Sequence, residues 1–142
     1  EDPVPVRADR QGSIRCVPRG AEKKLIEWLR WYENADGVGP QNCVVCMEAR
    51  DESTICDGCY MPELWPENEP AVLAWLAIRT QWVHAGIDGV RVGLNYAGAE
   101  SGLRLGGHDL ALWPEIHALE RETMNIDAGK RKAKPKAPKN GR

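Results

Sequence analysis

The residues best placed to do chemistry are the four cysteines of Cys43–Cys59, in the run CVVCMEARDESTICDGC. Cys43/Cys46 and Cys56/Cys59 are two Cys-x-x-Cys pairs with nine residues between them. Each such turn aims two thiolates at one point, and two turns facing each other make a tetrahedral S₄ cage. That cage suits Zn²⁺, which has no redox chemistry and takes four short bonds. The spacer is shorter than the roughly 15–20 residues of the commonest four-cysteine zinc pattern, yet long enough to bring one turn back to the other. With all four thiols used, no coordination position is left for a water, so the expected site is a structural staple and not a catalytic centre. Iron on the same sulfurs, or a redox or disulfide pair, is the alternative.

Other side chains give weaker signals. His84, His108 and His117 have no metal or catalytic spacing, and no H-e-x-x-H run occurs. Glu100, Glu115, Glu120 and Glu122 read as a solvated face. There is no nucleophile elbow or phosphate loop, so the chain is expected not to be an enzyme. Cys16, outside the paired set, reads as a free structural thiol, and the cysteine pattern favours a reducing cytosol.

Charge is segregated. The last 13 residues, Lys130–Arg142, hold seven Lys or Arg and no acid, which leaves 12 bases against all 21 acids in residues 1–129. An acidic body therefore carries a basic tail. Lys130, Arg131, Lys132, Lys134, Lys136 and Lys139 could neutralise phosphates or meet an acidic partner. The tail is low in complexity and is expected to be disordered.

The elements that must position these residues are mainly helical. Glu1–Gly20 reads as an extended segment. Ala21–Ala35 carries Leu25, Trp28, Leu29 and Tyr32 at i, i+3, i+4 and i+7, one apolar stripe. A stiff Pro-rich linker, Pro62–Pro70, leads to a second helix expected over Ala71–Ala85, with Val72, Trp75, Leu76, Trp82 and Val83 on its stripe. Asn95 is a good N-cap for a short helix from Tyr96 to about Leu105. Asp109 caps a last helix from Leu110 to about Ala128, where Leu112, Ile116, Leu119, Thr123 and Ile126 recur at fours and threes. The expected fold is a small mainly-α bundle of about four helices over residues 21–129, with a four-cysteine zinc loop inserted at 43–59 and a basic tail at 130–142. No apolar run approaches the roughly 18 residues that span a bilayer, and no retained signal peptide is visible, so no membrane partner is expected.

Three short pieces carry a resemblance: Pro66-Glu67-Asn68, Thr80-Gln81-Trp82 and Gly93-Leu94-Asn95-Tyr96, with Cys56/Cys59 shortly before Pro62-Glu63-Leu64. Over about Cys43–Ala128 the chain resembles a family of small proteins coded in phage and prophage tail operons beside the tape-measure gene. These are regarded as tail assembly chaperones, or as their frameshift-made downstream portion. The family usually has Asp where this chain has Asn95. The start at Glu1, without an initiator Met, fits a downstream portion and fits trimming equally well.

The resemblance implies a bacteriophage protein that acts by protein–protein interaction. It would hold tape-measure or tail-tube protein in the host cytoplasm during tail assembly. A minor structural protein of the virion tail is one alternative; a zinc-containing nucleic-acid binder using the basic tail is another. Gln81, Trp82, Asn95 and Tyr96 are the expected structural motif, with Gln81 bonding backbone of the Gly93–Tyr96 turn. Trp31, Trp65 and Trp113 are the expected partner contacts, as large apolar side chains at the edges of the stripes or in the linker.

Overall fold

The computed structural model describes residues 6–8, 14–16, 20–41 and 62–134, the first two segments by their backbone. Cys43, Cys46, Cys56, Cys59, Lys136 and Lys139 lie outside the described residues. In chain order the elements are β1 (Val6–Ala8), β2 (Ile14–Cys16), α1 (Ala21–Tyr32), α2 (Glu69–Ile78), β3 (Trp82–Ala85), β4 (Val90–Leu94), α3 (Tyr96–Leu105) and α4 (Trp113–Ala133). β1 and β2 pair antiparallel, with Val6 opposite Cys16, inside the segment expected to be extended. The described chain is mainly helical, with four helices and two small two-stranded sheets.

Helix α1 forms where its stripe predicts. Leu25, Trp28 and Leu29 are buried, and Tyr32 stacks on Trp28 with ring centroids 5.1 Å apart. It stops at Tyr32, three residues short of expectation. Asn34 takes the left-handed conformation (φ +54°), one of the few non-glycine residues for which that is cheap. Ala35 N–H then closes back on Arg30 O at 2.8 Å.

The Pro-Glu-Asn piece is a 3₁₀ turn, Pro66–Asn68, leading into α2. Asn68 is buried, and its Nδ2 donates to the carbonyl of Ala21 at 2.7 Å. A main-chain carbonyl in the first turn of α1 thus accepts a second hydrogen bond from a side chain 47 residues away.

The second helix is corrected. It ends at Ile78, and Trp82–Ala85 is a strand. Two things override the apolar run. Gly86 (φ +74°) and Gly89 (φ +61°) supply the left-handed positions of a tight turn, and Val90–Leu94 returns to pair with β3. β-Branched and aromatic Trp82 and Val83 suit that sheet as well as they suit a helix. His84 consequently sits in a strand opposite Arg91.

Helix α3 begins and ends as read, and Asn95 Oδ1 accepts from Gly98 N–H at 3.2 Å. A 3₁₀ turn, Leu110–Leu112, capped by Asp109, precedes α4. Leu112, Ile116, Leu119, Thr123 and Ile126 are all buried, as their spacing requires.

α4 runs to Ala133, so the first residues of the expected disordered tail, Lys130–Ala133, are helical. Cations in a last turn offset the negative end of the helix dipole. Lys130 Nζ also donates to Glu33 O. Lys134 is extended (ψ 125°), the conformation a residue before proline prefers, and Pro135 follows.

The four helices share one core. α1 packs on α4, and α2 packs on both α3 and α4. Trp75 and Ile78 of α2 are buried with Leu25, Leu29, Leu103, Ile116 and Leu119. Trp75 also meets Trp82 edge-on at 5.8 Å, which seats the hairpin against α2.

Asn68→Ala removes the buried side-chain bond to the Ala21 carbonyl, which keeps its intrahelical donor. The expected loss is about 0.5–1.5 kcal/mol, read as a lower urea midpoint at unchanged slope. An unchanged midpoint would show that this stitch carries no stability.

Candidate functional site

Two of the three pieces that carry the resemblance, Thr80–Trp82 and Gly93–Tyr96, meet at the junction of β3, β4, α3 and α4, while Pro66–Asn68 lies apart, against the start of α1. Gln81 reaches the Gly93–Tyr96 turn through its main chain: its carbonyl accepts from Asn95 N–H at 2.8 Å, while its own N–H is bonded to Ile78 O. The expected side-chain bond is therefore replaced by a main-chain one, because Gln81 lies between a helix and a strand instead of on a helix. Its side-chain oxygen rests on the Cα of Gly98, with no room for a Cβ there.

The centre of this junction is a residue the sequence had placed on a solvated face. Glu120 is 2% exposed. One oxygen accepts from Leu94 N–H at 2.7 Å and the other from the Tyr96 hydroxyl at 2.9 Å. Donating to a carboxylate holds the Tyr96 phenol above its ordinary pKa. Tyr96 then packs edge-on against Trp113 at 5.0 Å. Glu122 is likewise engaged, accepting from Arg30 at 3.0 Å, and Glu100 pairs with Arg104 on an exposed face. The missed signal for Glu120 was its spacing: four after Ile116 and three before Thr123, it falls on the buried stripe.

A second polar centre lies beside it. The pairing of β3 with β4 shifts between Val83 and His84, so one extra residue of β4 is inserted. That insertion reverses the alternation and brings Arg91 to the face that bears Trp82 and Leu94. Arg91 stands 5.0 Å over the Trp82 ring. It pairs with Asp127 at 2.8 Å through both Nε and Nη2, and with Glu33 at 2.8 Å. The two carboxylates push its guanidinium further above an already high pKa. The hydrogen bonds from Arg91, with help from Lys130 and Arg131, hold the Asp127 carboxyl below its ordinary value.

The opposite hairpin face is apolar and open. Val83 is 44% exposed, Val92 50%, and Ile87 at the turn fully so. Trp31 and Trp113 are half-buried against the core, and half-buried Trp65 lies 3.7 Å from where a Cβ on Gly20 would stand. The three tryptophans sit on separate elements. Lys130, Arg131, Lys132 and Lys134 are exposed at the end of α4. Among the described residues no group of three or more His, Cys, Asp or Glu could hold a metal ion. No helix among them is long and apolar enough to cross a membrane.

All three motif pieces fall within a shared stretch of sequence. A model of phage-related hypothetical proteins (DUF1799) matches residues 53–125, 73 of the 142. The chain belongs to this phage-related family. No curated protein and no solved structure matched it. The DUF1799 match takes in Cys56 and Cys59 but not Cys43 and Cys46. It also omits α1, so Glu33 and Asp127, which flank the matched segment on either side, reach in to bind its Arg91.

Arg91→Ala leaves Glu33 and Asp127 facing each other without their cation. The expected loss at neutral pH is about 1–3 kcal/mol, between the values for exposed and buried pairs. Because the folded Asp127 pKa is depressed, its contribution is fully present above the unfolded value near 4 and fades as pH falls through the folded one. The gap between wild type and Arg91→Ala should therefore narrow below about pH 4 in urea titrations. A gap that stays constant down to acid unfolding would refute the pairing.

Proposed function

We propose that this chain is a non-enzymatic phage tail assembly chaperone, binding tape-measure protein, tail-tube protein or both in the host cytoplasm. Membership of a phage-related family and the resemblance of the three motif pieces to tail-operon proteins support this reading. The observation that carries it is the outer face of the hairpin. Val83, Ile87 and Val92 are held open on a two-stranded sheet whose other face is fixed by Arg91 and Glu120. Exposed apolar side chains gathered on one rigid element are what a holder of aggregation-prone segments needs. Trp65 and Trp113, each partly open, and Trp31 at the edge of α1 complete the proposed contact set.

The proposal includes a structural Zn²⁺ held by Cys43, Cys46, Cys56 and Cys59, on the strength of their paired spacing. A small core gains most from such a staple.

Co-expression with the tape-measure protein of the same phage should keep that partner soluble. Ile87→Asp with Val92→Asp should abolish the effect while leaving the thermal melt in place. A partner that stays equally insoluble with and without the chain contradicts the chaperone reading. Recovery of the chain in purified particles would point instead to a minor virion component. Separately, metal analysis should find a single zinc ion per chain, and a chelator should lower the melting temperature. A metal-free protein with an unaltered melt would remove the zinc from the proposal.

A further inference from the structure

A cleft of about 920 Å³ opens between the end of α2, the inner face of the β3–β4 hairpin and the last turns of α4. Arg79 lines it from α2's end, and Lys130, Arg131 and Lys134 line it from α4. Its carboxylates are Asp88 and Asp127, and Asp127 is already taken by Arg91.

Among the described residues Arg79, Lys130, Arg131 and Lys134 form no ion pair within 4 Å, though Lys130 and Arg131 lie near enough to Asp127 to lower its pKa. Among the described residues Arg79 bonds the Tyr32 hydroxyl, at 3.3 Å. Lys130 donates to a main-chain carbonyl, that of Glu33. Arg131 and Lys134 form no ion pair with any described residue; the cleft's Arg–carboxylate pairs are those of Arg91. Arg79, Lys130, Arg131 and Lys134 thus present positive charge to one space on a body that is otherwise acidic, with 12 bases against 21 acids over residues 1–129.

Two observations choose the ligand. A long polyanion would have to lie along that acidic body and be repelled by it, whereas a short anionic segment need meet only the cleft. Nucleic-acid grooves of this kind add aromatic faces on which bases stack. Here Trp82 has Arg91 over one face and Trp75 edge-on, so it offers no such platform. Carboxylates, by contrast, match guanidinium forks directly.

We propose that this cleft binds a short acidic peptide segment of a partner protein, its Asp or Glu carboxylates spanning from Arg79 to Arg131 and Lys134. The site is separate from the apolar face assigned to the chaperone role: it uses the inner side of the hairpin, that role the outer side. A chain that failed as a chaperone could still bind here.

The test is fluorescence anisotropy of the full chain with labelled oligoglutamate, with oligothymidine of equal charge and oligoserine as comparisons. Oligoglutamate should bind, more tightly than oligothymidine, and oligoserine should not. Arg79→Glu with Arg131→Glu should weaken oligoglutamate binding about tenfold or more. Ending the chain after Lys134 should leave it within about twofold. Both arginines are exposed, so the variant should fold; should it not, Arg79→Gln with Lys134→Gln reads the same loss more gently. No oligoglutamate binding, binding indifferent to these substitutions, binding lost with residues 135–142 alone, or tighter binding of oligothymidine would each overturn the assignment.

Discussion

One buried carboxylate constrains the whole arrangement. Glu120 lies on the core-facing stripe of α4, and a charge taken out of water costs several kcal/mol unless hydrogen bonds replace the lost hydration. The replacement comes from elsewhere in the chain: the Leu94 amide at the end of β4 and the Tyr96 hydroxyl at the start of α3. A strand end and a helix start must therefore dock on α4 together. Once they do, the hairpin has only one orientation. Its inner face meets Arg91's partners on α4 and beyond α1, and its outer face is left to solvent.

Local signals were fully legible. The stripes of α1 and α4, and Asn95 as the cap of α3, rest on spacing and on one side chain satisfying a nearby amide, so they could be read without neighbours. The hairpin was not legible in the same way. Trp82 and Val83 continue the apolar run of α2, and only the return of Val90–Leu94, with its inserted residue, turns that run into a strand. Glu120 was misjudged for a related reason. A carboxylate reads as surface until the donors that bury it are known, and both its donors lie more than twenty residues away. The outer-face residues Val83, Ile87 and Val92 were missed with the hairpin itself.

The family match and the fold divide the chain differently. The matched segment contains the motif junction, α2, α3 and most of α4. Yet α1, outside it, supplies Leu25, Trp28 and Leu29 to the same core, and its end supplies Glu33 to Arg91. Asn68 of the matched segment in turn bonds the Ala21 carbonyl of α1. The phage-related unit is thus completed by its flanks, and the proposed zinc staple would fall between α1 and the rest, where the chain has its longest stretch without a described element. Two sides of one hairpin then carry two proposed roles, an apolar one outside and an electrostatic one inside, separated by the strands.

The central claim, that Glu120 fixes the hairpin to α4, is tested most directly by native-state hydrogen exchange at the Leu94 amide. If the carboxylate binds that amide as described, Leu94 exchanges only through global unfolding, at the rate of the α4 core amides. Exchange of Leu94 as fast as the turn amides of Gly86–Gly89 would mean that the hairpin opens freely, and the account would fail.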